Sequence, residues 1–376
     1  MPRKIKKGFA RILEESSAET LERLFRKVPR WRGTGNLRFR SSLNVEQCSS
    51  ETTAFYKASL AREICGNDAA VWDLTGGLGV DSWAFALTGF KVHYNEMDHE
   101  LAGIVADNFS SLGAGDIICT SVEIDEDSVM EALLKASDND LVYMDPARRD
   151  AAGGKVYRME DCKPDVMKLK DRIFSRCRNI LVKLSPMIDI SGTAALLGRQ
   201  VREIHVIGSS GECKEVLVRL DREWDSGYSV TAVEGDERFT FTPGEEKEAV
   251  PSFAESPEDL KGMNLYEPGS ALLKSGAFKL IGNRMGLKKL AVSTHLYVGS
   301  GQGRRITEIL PYNGRNVREL GKRYPVCELT ARNIPTSSDA LRKKMGVKSG
   351  GDVHIYAVTC DFSDSPSRKM LLVTSG

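Results

Sequence analysis

The feature that most constrains this 376-residue chain is the run Val71-Trp72-Asp73-Leu74-Thr75-Gly76-Gly77-Leu78-Gly79-Val80-Asp81. An apolar strand ends in an acid, turns on small residues and enters a helix. Glycines at such a junction let the backbone approach a bound nucleotide with no Cβ in the way. The dinucleotide fingerprint Gly-x-Gly-x-x-Gly fits less well, because Ser82 stands at the third glycine place. In isolation, a glycine turn between strand and helix is often structural only.

The chain around this run alternates. Apolar strand-like runs recur at 69–74, 91–94, 116–119, 141–144, 180–184, 201–207 and 214–220, with helical patterns at 81–87, 100–112 and 165–176 between several of them. Strand alternating with helix requires crossover connections, which predicts a doubly wound, mostly parallel α/β sheet over residues 65–222. The last two runs have no helix between them, which predicts an antiparallel strand at that edge. Upstream, Phe9, Ile12, Leu13, Leu21, Leu24 and Phe25 recur at helical spacing, and a second helix is expected over 50–65. Downstream, 224–256 reads as polar hairpin and loop. An α+β order follows, with helices at 271–285, 316–324 and 338–345 and strands at 289–297, 306–310, 326–331, 353–360 and 369–374. The expected division is a helical basic segment 1–64, the α/β domain 65–222, a hairpin and linker region 223–304 and a last domain 305–376. More than one core is expected, since domains average ~150 residues.

Composition excludes several classes. A hydrophobic content of 41 % with 28 % charged residues is that of a soluble globular protein. No run of ~18 apolar residues is present, and the opening Met-Pro-Arg-Lys-Ile-Lys-Lys leads into no secretory core. A cytoplasmic protein without a membrane partner is the expectation. None of the eight cysteines forms a Cys-x-x-Cys pair and the histidines at 93, 99, 205, 295 and 354 have no ligand spacing, so free thiols and no metal site are expected. The run Gly299-Ser300-Gly301-Gln302-Gly303 lacks the Gly-Lys-Ser/Thr ending of a phosphate loop and reads as a hairpin. The net charge of +1 hides an asymmetry: residues 1–40 carry 12 Lys/Arg against 4 Asp/Glu, and 301–376 carry 13 against 7. Basic ends around an acidic centre suit a polyanionic partner.

Two further motifs narrow the ligand. The second strand ends in Asn95-Glu96-Met97-Asp98, where Glu96 is placed to accept ribose hydroxyls and Asp98 to cap the next helix. The fourth ends in Met144-Asp145-Pro146-Ala147-Arg148. The first motif resembles methyltransferase motif I, with Thr75 in a glycine place. The last resembles motif IV, which nicotinamide dehydrogenases lack. Ala147 and Arg148 replace the second proline and the aromatic of amino-methylating relatives. Val182-Lys183-Leu184-Ser185-Pro186 offers no cysteine for a covalent uridine mechanism, so the acceptor atom stays open.

Together with Glu46-Gln47, Glu212-Cys213-Lys214-Glu215, Tyr266-Glu267-Pro268, Leu273-Lys274 and Thr330-Ala331-Arg332-Asn333-Ile334-Pro335, these motifs resemble a bacterial family of class I S-adenosylmethionine-dependent methyltransferases. Its catalytic domain is followed by ferredoxin-like and THUMP-like domains, and more distantly it is similar to guanine-N2 cap methyltransferases. The resemblance implies S-adenosylmethionine as cofactor and structured RNA, ribosomal or transfer, as substrate. It assigns Asp73, Thr75, Gly76, Gly77, Gly79, Glu96 and Ser121 to the cofactor, and Asp145 and Pro146 to orienting the acceptor. Arg148, Lys183 and Arg332 are assigned to substrate, and from the basic ends of the chain Arg30, Arg32, Arg38, Arg40, Arg332, Arg342, Lys343 and Lys344 are expected to grip the phosphate backbone. Residues 46–50 either cover the cofactor or cap a helix through Ser49 or Ser50. Methylation of a small molecule or protein, and a catalytically silent RNA-binding protein, are the alternatives. The oligomeric state stays open.

Overall fold

The computed structural model describes residues 18–148, 159 and 162–376. The expectations for Phe9, Ile12, Leu13 and the rest of residues 1–17 lie outside these. The chain forms two compact units, one running up to Ile207 and including Lys214–Tyr228, the other made of Gly208–Cys213 and Ser229–Gly376.

In the first unit, strands β1 (Ala70–Asp73), β2 (Lys91–Asn95), β3 (Ile118–Thr120), β4 (Leu141–Met144), β5 (Asn179–Leu184), β6 (Val201–Ser209) and β7 (Glu212–Asp221) lie in the order β3-β2-β1-β4-β5-β7-β6. The pairs β1–β2, β1–β4, β2–β3 and β4–β5 are parallel, as expected, while β7 runs antiparallel to β5. The antiparallel strand therefore lies one place inside β6 rather than at the edge. The reason is local: Ser210 and Gly211 both take positive φ, 55° and 77°, the geometry of a two-residue hairpin turn that seats β7 beside β6.

Helices α1 (Ser42–Gln47), α2 (Glu51–Cys65), α3 (Val80–Leu87), α4 (His99–Ser111), α5 (Val166–Phe174) and α6 (Ile190–Leu197) belong to this unit. Ser50 caps α2 by accepting the Thr53 N–H, and Asp98 caps α4 by accepting those of Glu100 and Leu101. Residues 18–27 are helical and bury Leu24, with Val28 and Trp31 following. Trp31 meets Trp83 of α3 edge-on at 5.6 Å within the same core. Because β2 lies on one side of β1 and β4 on the other, the chain reverses winding at the carboxyl ends of β1 and β4, where α/β sheets bind ligands.

The second unit opens with the expected hairpin, β8 (Ser229–Glu234) antiparallel to β9 (Glu237–Phe241). Its other strands, β10 (Asn264–Tyr266), β11 (Lys288–Lys289), β12 (Tyr297–Gly299), β13 (Arg304–Pro311), β14 (Glu328–Arg332), β15 (Val353–Cys360) and β16 (Arg368–Ser375), lie in the order β11-β12-β10-β13-β16-β15-β14. Three sequence readings change. The helix expected over 271–285 is two helices, α7 (Ser270–Ser275) and α8 (Leu280–Met285), because Gly276 turns left-handed at φ 89°. The strand expected over 289–297 is a turn with β11 and β12 at its ends, His295 taking φ 48°. The 299–303 run is not a hairpin, since β12 and β13 pair with opposite sides of β10. Helices α9 (Gly314–Arg323) and α10 (Ser338–Met345) pack through Val317, Leu320, Leu341 and Met345 onto a core with Leu329, Ile355 and Val373. Among the described residues no helix is long and apolar enough to cross a membrane.

Candidate active site

The glycine turn after β1 is built around a buried acid. Asp73 accepts the Thr75 N–H at 3.1 Å and the Ser82 hydroxyl at 2.6 Å. This explains Ser82: a third glycine would leave one oxygen of Asp73 without its partner. Burial pushes the Asp73 carboxyl up to about 7.

The three glycines serve different ends. A Cβ on Gly76 would stand 2.0 Å from the ring of Tyr94, whose hydroxyl donates to the Gly77 carbonyl at 2.7 Å. Gly79 has φ 81° and lies under Phe109. Only Gly77, at φ 51°, has open space where a Cβ would point.

Beside it, Glu96 accepts the Gly77 N–H at 2.9 Å and the Asp98 N–H at 3.0 Å, and burial raises its pKa above the ordinary glutamate value. The Ser121 hydroxyl donates to the Glu96 carbonyl at 2.7 Å. Buried Asn95 joins the tips of β1 and β3, donating to the Leu74 and Val122 carbonyls and accepting the Val122 N–H.

The end of β4 is tied to the same turn. The Asp145 N–H donates to the Thr75 hydroxyl at 2.6 Å, so Thr75 links the two motifs. Asp145 forms an ion pair with Lys183 of β5. Burial pulls the Lys183 ammonium down, but the carboxylates of Asp145, Glu215 and Asp81 outweigh it and leave its pKa above the usual lysine value.

Behind this pair lies a second group. Lys57 of α2, fully buried, meets Glu215 at 2.8 Å, Asp81 at 3.1 Å and the Ser49 hydroxyl at 3.0 Å. Asp81 also accepts the hydroxyls of Ser49 and Tyr143.

An open cleft of about 940 Å³ follows this edge of the sheet, within the ~300–1,000 Å³ of small-molecule sites. It runs from Glu96, Val122 and Ile124 past Gly77 to Asp145, Pro146 and Lys183, with Gln47, Cys48 and Ser49 in its wall. Burial pushes the Cys48 thiol up to about 11, so it is no thiolate nucleophile at neutral pH.

Residues 265–302 match the ferredoxin-like domain and residues 301–375 the THUMP domain-like family. A solved structure from Porphyromonas gingivalis W83, described as a "putative methyltransferase", is 32 % identical, aligns over 95 % of this chain and 88 % of its own, and superposes with a TM-score of 0.81. The chain belongs to that family. This chain joins a class I methyltransferase fold to ferredoxin-like and THUMP-like domains. The S-adenosylmethionine-dependent methyltransferase from Agrobacterium tumefaciens is 16 % identical over 46 % of this chain and 62 % of its own, with a TM-score of 0.34. No curated protein matches the chain.

Within this family member, Asp73, Thr75, Gly76, Gly77, Gly79, Glu96, Asp145, Pro146 and Lys183 all border the one cleft. Ser121 does not line it; its hydroxyl is spent on the Glu96 carbonyl. Arg332 belongs to the second unit, where it pairs with Glu267. Arg148 lies on a two-residue strand against Cys162, and its side chain is outside the described structure, as are Arg149 and Asp150.

The arginines expected on phosphates are largely occupied by carboxylates. Arg30 pairs with Glu51, Arg32 with Glu22, Arg38 with Asp107, Arg40 with Asp98 and Glu100, and Arg342 with Glu328. Both readings of 46–50 hold in part: Ser50 caps α2, while Gln47, Cys48 and Ser49 line the cleft.

Sequence reasoning gave no role to Lys57, Tyr94, Tyr143 or Glu215, although Glu215 stands in one of the motifs that carry the resemblance. The signal for Lys57 was its position, three residues after Ala54 and three before Leu60, on the buried stripe of its helix. Among the described residues no group of three or more His, Cys, Asp or Glu could hold a metal.

Proposed function

We propose that the protein is an S-adenosylmethionine-dependent methyltransferase acting on a base of structured RNA. The observation that carries this reading is Gly77, the one glycine of the β1 turn with open space at its Cβ position, in the cleft that also holds Glu96 at the tip of β2 and Asp145-Pro146 at the tip of β4. Gly77 gives the methionine part of the cofactor room at the backbone, Glu96 accepts the ribose hydroxyls, and the wall of Val122 and Ile124 beside Ser121 receives the adenine.

The cofactor supplies a methyl group already activated on a sulfonium, so the chain's task is placement. Thr75 fixes the backbone of Asp145 against the cofactor turn, and Lys183 holds one carboxylate oxygen. The other oxygen and the carbonyl before Pro146 are then free to orient the acceptor. Lys183, assigned to substrate from sequence, here acts on Asp145. For Arg148 and Arg332 the substrate role is kept, the latter requiring that RNA displace Glu267. The RNA class rests on the THUMP-like domain. The proposed division is 1–64, 65–222, 223–304 and 305–376.

Calorimetric titration of the full chain with S-adenosylmethionine and, separately, NAD tests the cofactor. Micromolar binding of the first alone is expected, lost in Gly77→Arg and weakened in Glu96→Ala. Binding of NAD, or of neither ligand, refutes the reading.

A further inference from the structure

The second unit is electrically polarised. Residues 229–262 hold nine acidic and three basic side chains, while 314–348 hold nine basic and three acidic, a swing from −6 to +6. The basic stretch is the layer of α9 and α10. Val317, Leu320, Leu341 and Met345 face the core, which turns Arg315, Arg318, Lys322, Lys343 and Lys344, with Lys348 just beyond, outward. All six are exposed, and none of them is in an ion pair among the described residues.

This separates them from every arginine assigned to phosphate from the sequence. Those six each have a carboxylate partner, so their charge is already compensated. Arg323, on the same helix, is likewise held by Glu308 and Glu319. Along α9, Arg315, Arg318 and Lys322 recur at steps of three and four residues, about 4.5 and 10.5 Å from the first at ~1.5 Å rise per residue. Their row continues onto the neighbouring helix, which packs beside it.

We infer that the outer face of α9 and α10 is the surface that grips the RNA phosphate backbone, through Arg315, Arg318, Lys322, Lys343, Lys344 and Lys348. It rests on the RNA reading above for the identity of the polyanion. A protein partner fits less well. Protein interfaces centre on buried aromatic or aliphatic anchors, and this stretch exposes one large hydrophobic side chain, Val326. Phosphate recognition needs only cations at roughly regular spacing. Contacts of this kind carry affinity without sequence preference, so any structured RNA reports them.

The test measures binding of the full chain to an unmodified transfer RNA transcript across a salt series, with polyglutamate as a charge-matched competitor. The variants are Arg318→Gln/Lys322→Gln, Lys343→Gln/Lys344→Gln and, as control, Arg38→Gln. Each double variant is expected to weaken RNA binding roughly tenfold and to lower the slope of log K against log salt by about two. Arg38→Gln should leave both unchanged. S-adenosylmethionine binding, read by calorimetry in the same preparations, should be equal in all, which shows each variant folded. Equal RNA binding by wild type and the double variants overturns the assignment. So does an equal loss in Arg38→Gln, and so does polyglutamate displacing RNA at matched charge. Absence of RNA binding alongside intact cofactor binding refutes this surface alone, whereas loss of cofactor binding by the wild type refutes the enzyme reading.

Discussion

Replacing Lys57 by Met removes the ammonium that lies between two buried carboxylates. Lys57 lies 2.8 Å from Glu215 and 3.1 Å from Asp81. At an effective dielectric of ~20 those contacts are worth roughly 6 and 5 kcal/mol before desolvation. Each buried ion costs several kcal/mol to strip of water, so the net value of the trio is far smaller. Removing Lys57, however, leaves Asp81 and Glu215 buried without their direct partner and with only the more remote Lys183 among the cations acting on Asp81, and the expected loss is about 3–5 kcal/mol. With a urea slope of ~1–3 kcal/mol/M, the midpoint falls by at least about 1 M.

Tryptophan fluorescence isolates the effect, since all four tryptophans (31, 72, 83 and 224) lie in the first unit. The pH dependence identifies the cause. In the wild type, burial works to raise the pKa of Asp81, but Lys57 and then Lys183 outweigh it and hold it below the ordinary value. A depressed pKa contributes stability above the unfolded value near 4 that is lost on acidification. Without Lys57, Asp81 protonates more readily, so the gap between variant and wild type should narrow from pH 7.5 to 5.5. Lys57→Met/Glu215→Leu should recover part of the loss. A loss below ~1 kcal/mol, or the same gap at both pH values, refutes the charge argument.

Two further outcomes separate fold from function within the glycine turn. Gly76→Ala drives a methyl into the Tyr94 ring, which is fully buried, and should cost ~1–3 kcal/mol in the same urea assay. Gly77→Asn tolerates the left-handed backbone and meets open space, so stability should hold within ~0.5 kcal/mol while S-adenosylmethionine affinity, read by calorimetry, falls. Asp73, raised by burial to about 7, contributes stability present below the unfolded value near 4 and lost as pH rises through 7. Wild type should therefore lose midpoint between pH 5 and 8 relative to Asp73→Asn, which keeps an acceptor oxygen but cannot titrate. A constant difference across that range contradicts the assignment.

Local periodicity was sufficient for most elements of the first unit. The runs ending at Asp73, at Asn95-Glu96 and at Met144-Asp145 alternate with apolar-striped helices, and a parallel sheet brings such strand ends to one edge whatever the surrounding chain does. That is why Gly77, Glu96 and Asp145 were legible as partners although they lie far apart in sequence. The second unit was less legible. A left-handed glycine at 276 and a positive φ at His295 interrupt patterns that hydropathy alone reads as continuous, because a turn is a property of backbone angles and leaves the apolar count unchanged.

Side-chain pairing lay beyond the sequence altogether. Composition located the positive charge at both ends of the chain, but only folding decided which of it remains free. Arg38 reaches Asp107 and Arg332 reaches Glu267, each across more than sixty residues, while Arg318 and Lys322 form no ion pair among the described residues. The same holds for Lys57: its place on a buried helical stripe was written in the periodicity, whereas the acids that compensate it come from α3 and β7. Strand ends and helix stripes follow from local order along the chain. Charge compensation depends on distances between residues far apart in sequence, and only the tertiary structure determines those.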